Sequence, residues 1–357
     1  MGEGRTHKGR GAGYNPTPRY ARTERAAPPD AGLLDALGDE PGADPRTVVG
    51  VDATRSVITR NDSPDLPFNQ SLNPYRGCEH GCIYCFARPS HAYLDLSPGL
   101  DFETRILAKP RAAELLADAL RKPGYRCQVL AMGTNTDPYQ PAERHWRITR
   151  RVLELLLDCR HPVGIVTKSG RIAHDLDVLA QLAGHNLVSV FLSITTLDRD
   201  IARTLEPRAA APQARLDTVA RLRDAGVPVG VLVAPIIPAL TDHELEAILG
   251  AAAQAGAGFA GYTVLRLPGE VAGLFEDWLH RHRPDRARRV LNALRDLWGE
   301  RLSSSTFGLR QRGAGDYAAL LGQRFDIACR RHGLGGVPAL DTHAFRPPPG
   351  GQLGLGF

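Results

Sequence analysis

Six short apolar runs, separated by stretches with a helical period, constrain the fold of this chain more than any other feature. The runs lie at 71–77, 127–133, 162–168, 187–194, 227–237 and 259–267. The stretches between them, where apolar residues recur every three to four positions, lie at 110–121, 142–159, 172–185, 211–226 and 242–256. Strands that alternate with helices form a parallel sheet, and continuously apolar strands are buried on both faces. The pattern predicts an α/β fold, a partial (β/α)6 TIM-like barrel with N- and C-terminal extensions. An open doubly wound sheet is the alternative, and both folds place their chemistry at the carboxyl ends of the strands.

The rest of the chain divides by composition. Residues 1–45 are rich in Gly, Pro, Ala and Arg and lack periodicity, which predicts a disordered basic tail. A solvated tail is the simpler interpretation of this segment, and a nucleic-acid-binding arm is the functional one. The barrel core is predicted over 46–270. Helical patterns at 270–302 and 314–333 predict a helical C-terminal extension and tail over 271–357.

Cysteine usage and hydropathy limit where this chain works. Six cysteines in 357 residues are too few and too unevenly placed for a disulfide framework. No apolar run reaches the roughly 18 residues of a membrane span. The first residues also lack the apolar core of a secretory signal. We therefore expect a cytoplasmic protein with no membrane partner.

Half of the cysteines are crowded into one loop. Cys78, Cys82 and Cys85 have the spacing C-x3-C-x2-C, directly after the first predicted strand. Three thiolates on one loop can bind three corners of a [4Fe–4S] cluster and leave the fourth iron without a protein ligand, whereas ferredoxin-type carriers fill all four corners. A Cys3His zinc site completed by His80 or His91 is the alternative.

Several motifs at predicted strand ends resemble one known family. GCEHGCIYCFA, NTDPY, TKS, LSIT, LEP and LVAPI follow one another over residues 70–270. In order and position they resemble the radical S-adenosylmethionine superfamily, and its spore photoproduct lyase branch in particular. The resemblance implies that the open iron chelates S-adenosylmethionine. It also implies that one electron releases a 5′-deoxyadenosyl radical, which abstracts hydrogen from a substrate that the sequence does not identify. Flavodoxin or ferredoxin is the implied electron donor.

The same resemblance assigns a role to several residues. Cys78, Cys82 and Cys85 would bind the cluster. Thr136 would contact the methionine part of the cofactor, although local turn bonding is the alternative for its neighbours. Lys168 would pair with the cofactor carboxylate, with a solvent-exposed ammonium group as the alternative.

Three more cofactor-binding residues follow from the later motifs. Ser193 would hydrogen-bond the cofactor carboxylate, and Thr195 would join it at the same strand end, or else cap the next helix. Ala234 would let the backbone lie against the adenosine, or simply pack within the strand. Tyr84 resembles the aromatic residue whose main chain contacts adenine. For Glu206, a hydrogen bond to ribose competes with a helix cap or a pair with Arg208.

Two departures from the branch concern the substrate. The photoproduct lyase uses a cysteine in the loop after the second strand and a tyrosine directly after the third cluster cysteine. Here residues 130–143 contain no cysteine, and the second position is Phe86. The sequence therefore predicts retained cofactor chemistry on a different substrate. Cys127, Cys159 and Cys329 show no ligand spacing and are expected to be small buried apolar residues.

Two other classes of function stay open at this stage. A non-catalytic iron–sulfur electron carrier or sensor predicts a cluster without affinity for S-adenosylmethionine. A zinc-stabilised nucleic-acid-binding module predicts one zinc ion. The basic helical run 280–301 makes nucleic acid a candidate partner, although an ordinary solvated helix explains it as well.

Overall fold

A computed structural model describes residues 5–20, 45–299 and 302–349 of the chain. In these ranges the strands are β1 (Val48–Val51), β2 (Ile58–Arg60), β3 (Gln70–Leu72), β4 (Tyr75–Arg76), β5 (Arg105–Ala108), β6 (Leu130–Met132), β7 (Val163–Thr167), β8 (Val188–Ser193), β9 (Val229–Ile236) and β10 (Phe259–Val264). The α-helices are α1 (Leu100–Thr104), α2 (Ala112–Leu120), α3 (Glu143–Trp146), α4 (Ile148–Asp158), α5 (Leu176–Gly184), α6 (Arg199–Leu205), α7 (Pro212–Asp224), α8 (Leu245–Ala255), α9 (Val271–His282), α10 (Pro284–Trp298) and α11 (Asp316–His332).

The main sheet has the strand order β10-β9-β8-β7-β6-β3-β2. Its six strands from β3 to β10 pair in parallel, and β2 is added antiparallel to β3 at one edge. No ladder in the described ranges joins β10 back to the β2 edge, so the barrel is partial. The predicted (β/α)6 TIM-like class is confirmed, and the carboxyl ends of the six parallel strands share one rim.

Two sequence-predicted elements are divided in the structure. The run 71–77 forms β3 and then β4, which pairs with β5 in a separate sheet of order β1-β5-β4. The helix predicted over 142–159 is interrupted at Arg147, whose φ is 47°. The carboxylate of Glu143 accepts hydrogen bonds from the N–H groups of Ile148 at 3.1 Å and Thr149 at 2.8 Å. These bonds satisfy the amino end of a new helix, which is why the chain starts α4 afresh.

The N-terminal segment 5–20 corrects the prediction of a disordered tail for those residues. Ala12 is buried, and Arg19 pairs with Glu270 at 2.6 Å. Gly11 lies so close to the next layer that a Cβ atom there would be 2.0 Å from the carbonyl oxygen of Gly81. A glycine-rich composition therefore serves close backbone packing here. The predicted tail also includes residues 1–4 and 21–44, which lie outside the described residues.

The C-terminal extension packs on the barrel through α9, α10 and α11. The indole N–H of Trp278 donates to the carbonyl of Thr204 at 3.0 Å, and that of Trp298 donates to the carbonyl of Leu265 at 2.9 Å. Phe345 lies against Tyr125, with 5.5 Å between ring centres. No helix in the described ranges has the length and apolarity needed to cross a bilayer.

Candidate functional site

The cysteine loop follows β4 and is fixed by its backbone. The N–H of Cys78 donates to the carbonyl of Phe102 at 2.9 Å, and the N–H of Ile83 donates to Leu205 at 3.0 Å. The N–H of Cys85 closes a turn on the carbonyl of Cys82 at 3.2 Å. Cys78 and Cys82 are buried, and Cys85 is half-buried. The three thiols therefore lie on one ordered loop.

A buried ion pair supports this loop from beneath. The guanidinium of Arg88 pairs with the carboxylate of Glu103 at 2.5 Å, and both side chains are 0% exposed. The remaining Arg88 N–H groups donate to the carbonyls of Gly81, Cys82, Pro98 and Gly99. The Glu103 oxygens in turn accept from the N–H groups of Gly11 at 3.0 Å and Ala12 at 2.9 Å. We call Arg88, Glu103, Gly11 and Ala12 the Arg88–Glu103 clamp. The sequence interpretation missed it.

The environment of the three thiols suits an iron–sulfur cluster with a cation beside it. Burial raises the pKa of Cys78, Cys82 and Cys85, and the neighbouring thiol contributes at Cys78 and at Cys82. The ammonium group of Lys168 lowers the pKa of Cys82 and of Cys85, so this lysine faces the loop. Metal binding requires the thiolate, so iron would have to displace three protons here. Three thiols on one backbone-fixed loop match the donor set for three corners of a cubic cluster.

In the Cys3His zinc alternative, each candidate histidine is already bonded through one ring nitrogen, so only its other nitrogen could bind a metal. The Nδ1 atom of His80 lies 3.3 Å from the Asp137 carboxylate, and the Nε2 atom of His91 lies 3.0 Å from the Arg105 carbonyl. Across the described ranges, no three or more His, Cys, Asp or Glu side chains form a site for one metal ion. A cubic cluster needs a wider arrangement, because each thiolate binds a different iron.

Four of the predicted cofactor-binding residues converge on Lys168, at the carboxyl end of β7. Its Nζ atom donates to Ser193 Oγ at 2.5 Å and lies 3.4 Å from Thr195 Oγ1. It also donates to the carbonyl of Ala234 in β9 at 3.1 Å. The ammonium lies 5.8 Å from the centre of the Tyr84 ring, which comes from the cysteine loop. Three strand ends and the loop thus meet at one ammonium group.

Glu206 and Arg215 complete this group of residues. One Glu206 oxygen lies 3.3 Å from Lys168 Nζ and accepts from Thr195 Oγ1 at 2.7 Å and from the Tyr84 hydroxyl. The other oxygen is paired with Arg215. Burial opposes ionisation of Glu206, but Arg215 and Lys168 outweigh it and hold the pKa of this carboxyl well below its usual value. We call Tyr84, Lys168, Ser193, Thr195, Glu206 and Arg215 the Lys168 network.

The interpretation of Glu206 as a partner of Arg208 was wrong, whereas Glu206 does stand at the carboxyl-terminal cap position of α6. Arg208 instead lies 3.5 Å from Glu79, and Glu206 belongs to the Lys168 network. Arg215 carried no sequence signal beyond its place in a helix. Its guanidinium also donates to the carbonyl of Ser193 at 2.8 Å, so it supports the strand end that bears a predicted site residue.

Thr136 lies apart from the Lys168 network. Its hydroxyl donates to the carbonyl of Tyr75 at 3.1 Å, and its N–H, like that of Asn135, donates to Asn73 Oδ1. Asp137 connects this loop to the end of β7, because it accepts from the N–H of Lys168 at 2.7 Å. Burial acts to raise the pKa of Asp137. His80 and the hydrogen bonds from the Lys168 N–H and the Thr167 hydroxyl outweigh burial, so the pKa is lowered.

The cysteines outside the loop are only partly as expected. Cys159 is buried, but Cys127 and Cys329 are half-buried.

Phe86, directly after Cys85, is 45% exposed, which is unusual for a phenylalanine beside a buried loop.

The sequence of this chain is similar to those of several known proteins. Residues 72–252 match the model of the radical SAM superfamily. An uncharacterized protein of Mycobacterium bovis is 42% identical over 228 residues, which are 63% of this chain and 66% of that protein. An uncharacterized protein of Acidianus two-tailed virus is 31% identical over 181 residues, 49% of this chain and 58% of its own. The chain thus spans less than two-thirds of the length of these relatives.

Solved structures show the same fold. A spore photoproduct lyase variant superposes with a TM-score of 0.58 at 16% identity, covering 81% of this chain and 80% of its own. Spore photoproduct lyase complexed with dinucleoside spore photoproduct gives 0.56 at 16% identity, covering 80% and 78%. The superfamily model covers half of the sequence and includes the cysteine loop and the whole Lys168 network. This chain belongs to the radical SAM superfamily.

Proposed function

We propose that this protein is a radical S-adenosylmethionine enzyme whose [4Fe–4S] cluster is held by Cys78, Cys82 and Cys85. When bound, the cluster supplies the electron that cleaves S-adenosylmethionine into methionine and a 5′-deoxyadenosyl radical, and the radical takes a hydrogen atom from the substrate. One observation carries the proposal. The ends of β7, β8 and β9 bring Lys168, Ser193 and the Ala234 carbonyl together beside Tyr84 of the cysteine loop.

The residues of the Lys168 network suit the cofactor carboxylate. Lys168 and Arg215 carry two positive charges, and Glu206 carries one negative charge. A ligand carboxylate would add the missing negative charge and accept from Lys168 Nζ and Ser193 Oγ, in place of the Ala234 carbonyl to which both now donate. Charge-assisted bonds of this kind are about twice as strong as neutral ones. The side chains are already oriented by one another, so little order has to be gained on binding.

We propose that the enzyme works in the cytoplasm on a substrate of unspecified identity, with flavodoxin or ferredoxin as electron donor. Nucleic acid is a candidate substrate or partner. The photoproduct lyase relay has no counterpart in this sequence at Phe86 or within residues 130–143, so the reaction differs from photoproduct repair.

The test is an anaerobic turnover assay. The protein is reconstituted with iron and sulfide, reduced with dithionite and given S-adenosylmethionine, and the products are separated by mass. We expect 5′-deoxyadenosine and methionine from the wild type and from Cys159→Ala, which removes a buried cysteine outside the loop. Cys85→Ala should give neither product. A cluster that neither binds nor cleaves S-adenosylmethionine would favour the electron-carrier function instead.

A further inference from the structure

Phe86 and Arg266 meet at the rim that carries the Lys168 network. Phe86 follows the last cluster cysteine, and Arg266 comes two residues after β10 ends. The Arg266 guanidinium lies 4.9 Å from the centre of the Phe86 ring. Because the carboxyl ends of parallel strands share one rim, this pair lies where a substrate approaches the cofactor in such folds.

Among the described residues, no acidic side chain forms an ion pair with Arg266. The side chain is half-buried, and burial lowers its pKa, with Arg310 lowering it further. Asp65 acts in the opposite direction, but its carboxylate is bound by Arg310 at 2.8 Å and by the N–H of Gly308. Within the described ranges, no ion pair or hydrogen bond engages the Arg266 guanidinium. A partly buried cation without an anion is costly, and an anionic ligand would relieve that cost.

The Phe86 ring that contacts this guanidinium also lines a cavity with other exposed rings. Phe86, Tyr20, Tyr93 and Asn135 line a cavity of about 180 Å³. The rings of Tyr20 and Tyr93 stack with 5.0 Å between centres, and they are 50% and 74% exposed. Exposed aromatic faces are surfaces on which planar rings stack. The cavity therefore offers stacking surfaces, and Phe86 connects it to the Arg266 guanidinium, whereas the cation within the lining, Arg19, is already paired with Glu270.

We propose that this mouth binds the substrate through a planar aromatic ring, stacked in the cavity, and an anionic group that pairs with Arg266. The identification of the ligand as substrate rests on the proposed function. Phosphate and carboxylate both match the guanidinium, because each accepts two parallel N–H bonds. The ligand class is thus an aromatic ring that bears a phosphate or a carboxylate.

The test is a calorimetric titration at low salt with three probes: uridine 5′-monophosphate, uridine and indole-3-acetate. At least one of the two charged probes should bind about tenfold more tightly than uridine, the factor expected for a charge-assisted hydrogen bond. Which charged probe binds distinguishes phosphate from carboxylate. Arg266→Gln should abolish the preference for charge, and Phe86→Leu should weaken every probe. Arg286→Gln, at an exposed position of α10, is the matched control and should change nothing.

Three outcomes would overturn this inference. One is no binding of any probe at millimolar concentration, and another is an unchanged preference for charge in Arg266→Gln. The third is a loss of S-adenosylmethionine affinity in Arg266→Gln with the probes unaffected, which would assign Arg266 to the cofactor. These titrations need no turnover, so their failure is separable from failure of the proposed function. If the protein forms 5′-deoxyadenosine but binds none of the probes, the inferred ligand class is wrong and the proposed function still holds.

Discussion

Two buried groups of charges flank the cysteine loop, and they differ in balance. In the Arg88–Glu103 clamp one cation pairs with one carboxylate. Arg88 donates five hydrogen bonds, to Cys82, Pro98, Gly99, Gly81 and Glu103. In the Lys168 network two cations share the single carboxylate of Glu206. The clamp is neutral and complete, as expected of a structural element. The network keeps a surplus positive charge, as expected of a site that takes an anionic ligand.

Glu143 provides a third case, a buried carboxyl group that forms no ion pair with any cation in the described part of the chain. Burial raises its pKa to about 7, although hydrogen bonds from Tyr75 and from three backbone N–H groups act against the shift. Glu206 is buried as deeply, yet its pKa is lowered because Arg215 and Lys168 face it. The neighbouring cations, and not burial alone, therefore decide the charge of these carboxyl groups.

The largest expected effect removes the shared carboxylate. Glu206→Gln leaves the buried Arg215 and the half-buried Lys168 without an anion, and we expect a loss of about 5 kcal/mol in the free energy of unfolding. Urea unfolding measures it. Adding Lys168→Met to this variant removes one uncompensated charge and should restore part of the stability. Wild-type stability in the single variant would mean that Glu206 does not offset the charges of Lys168 and Arg215.

Glu103→Gln tests the clamp. It leaves a single cation, Arg88, without its anion, so the expected loss of about 3–4 kcal/mol is smaller than for Glu206. Hydrogen exchange at the N–H groups of Gly11 and Ala12 should also become faster, because their acceptor is weakened. Glu114→Gln, at an exposed position of α2, should stay within about 0.5 kcal/mol of wild type. Unchanged exchange at Gly11 would contradict the clamp.

Glu143 predicts a pH dependence. Its folded-state pKa of about 7 is above the unfolded value of 4.5, so the folded state holds the proton more tightly. Its contribution to stability is fully present below pH 4.5 and is lost as the pH rises through 7, in total about 3 kcal/mol at 1.36 kcal/mol per pKa unit. Urea unfolding of wild type and Glu143→Gln at pH 5 and pH 8 measures this difference. If the stabilities of wild type and Glu143→Gln change in parallel between pH 5 and pH 8, Glu143 is not the source of the pH dependence.

The smallest effect distinguishes the two charge groups most directly. Lys168→Met removes the surplus cation, so the free energy of unfolding should be nearly unchanged. Affinity for S-adenosylmethionine should fall by roughly 1–3 kcal/mol, the scale of a lost charge-assisted hydrogen bond. Titration of the reconstituted protein measures it, with the exposed Lys122→Met as control. Unchanged affinity would exclude Lys168 from the cofactor site.

The sequence predicted the parts of the molecule that follow local rules. Strand and helix periods gave the order of the barrel, and the strand-end rule brought Lys168, Ser193, Thr195 and Ala234 to one rim. Partner choice was out of reach, because whether Glu206 meets Arg208 or Arg215 depends on how α7 packs. Arg88 and Glu103 were missed for the same reason.

The N-terminal segment was misjudged for a different reason. Its burial involves backbone atoms of Gly11 and Ala12, and backbone burial has no signature in side-chain hydropathy. The break at Arg147 was equally hidden, because it depends on the Glu143 carboxylate turning towards α4.

The docking of Gly11 and Ala12 on Glu103 has a practical consequence for anyone producing the protein. Trimming the chain to residue 20 as dispensable would remove two of the hydrogen-bond donors to Glu103 and uncover the carbonyl of Gly81. Oxygen would then have a shorter route to any iron bound on the loop. Preparations that keep residues 5–20 intact should therefore stay brown longer in air than trimmed ones.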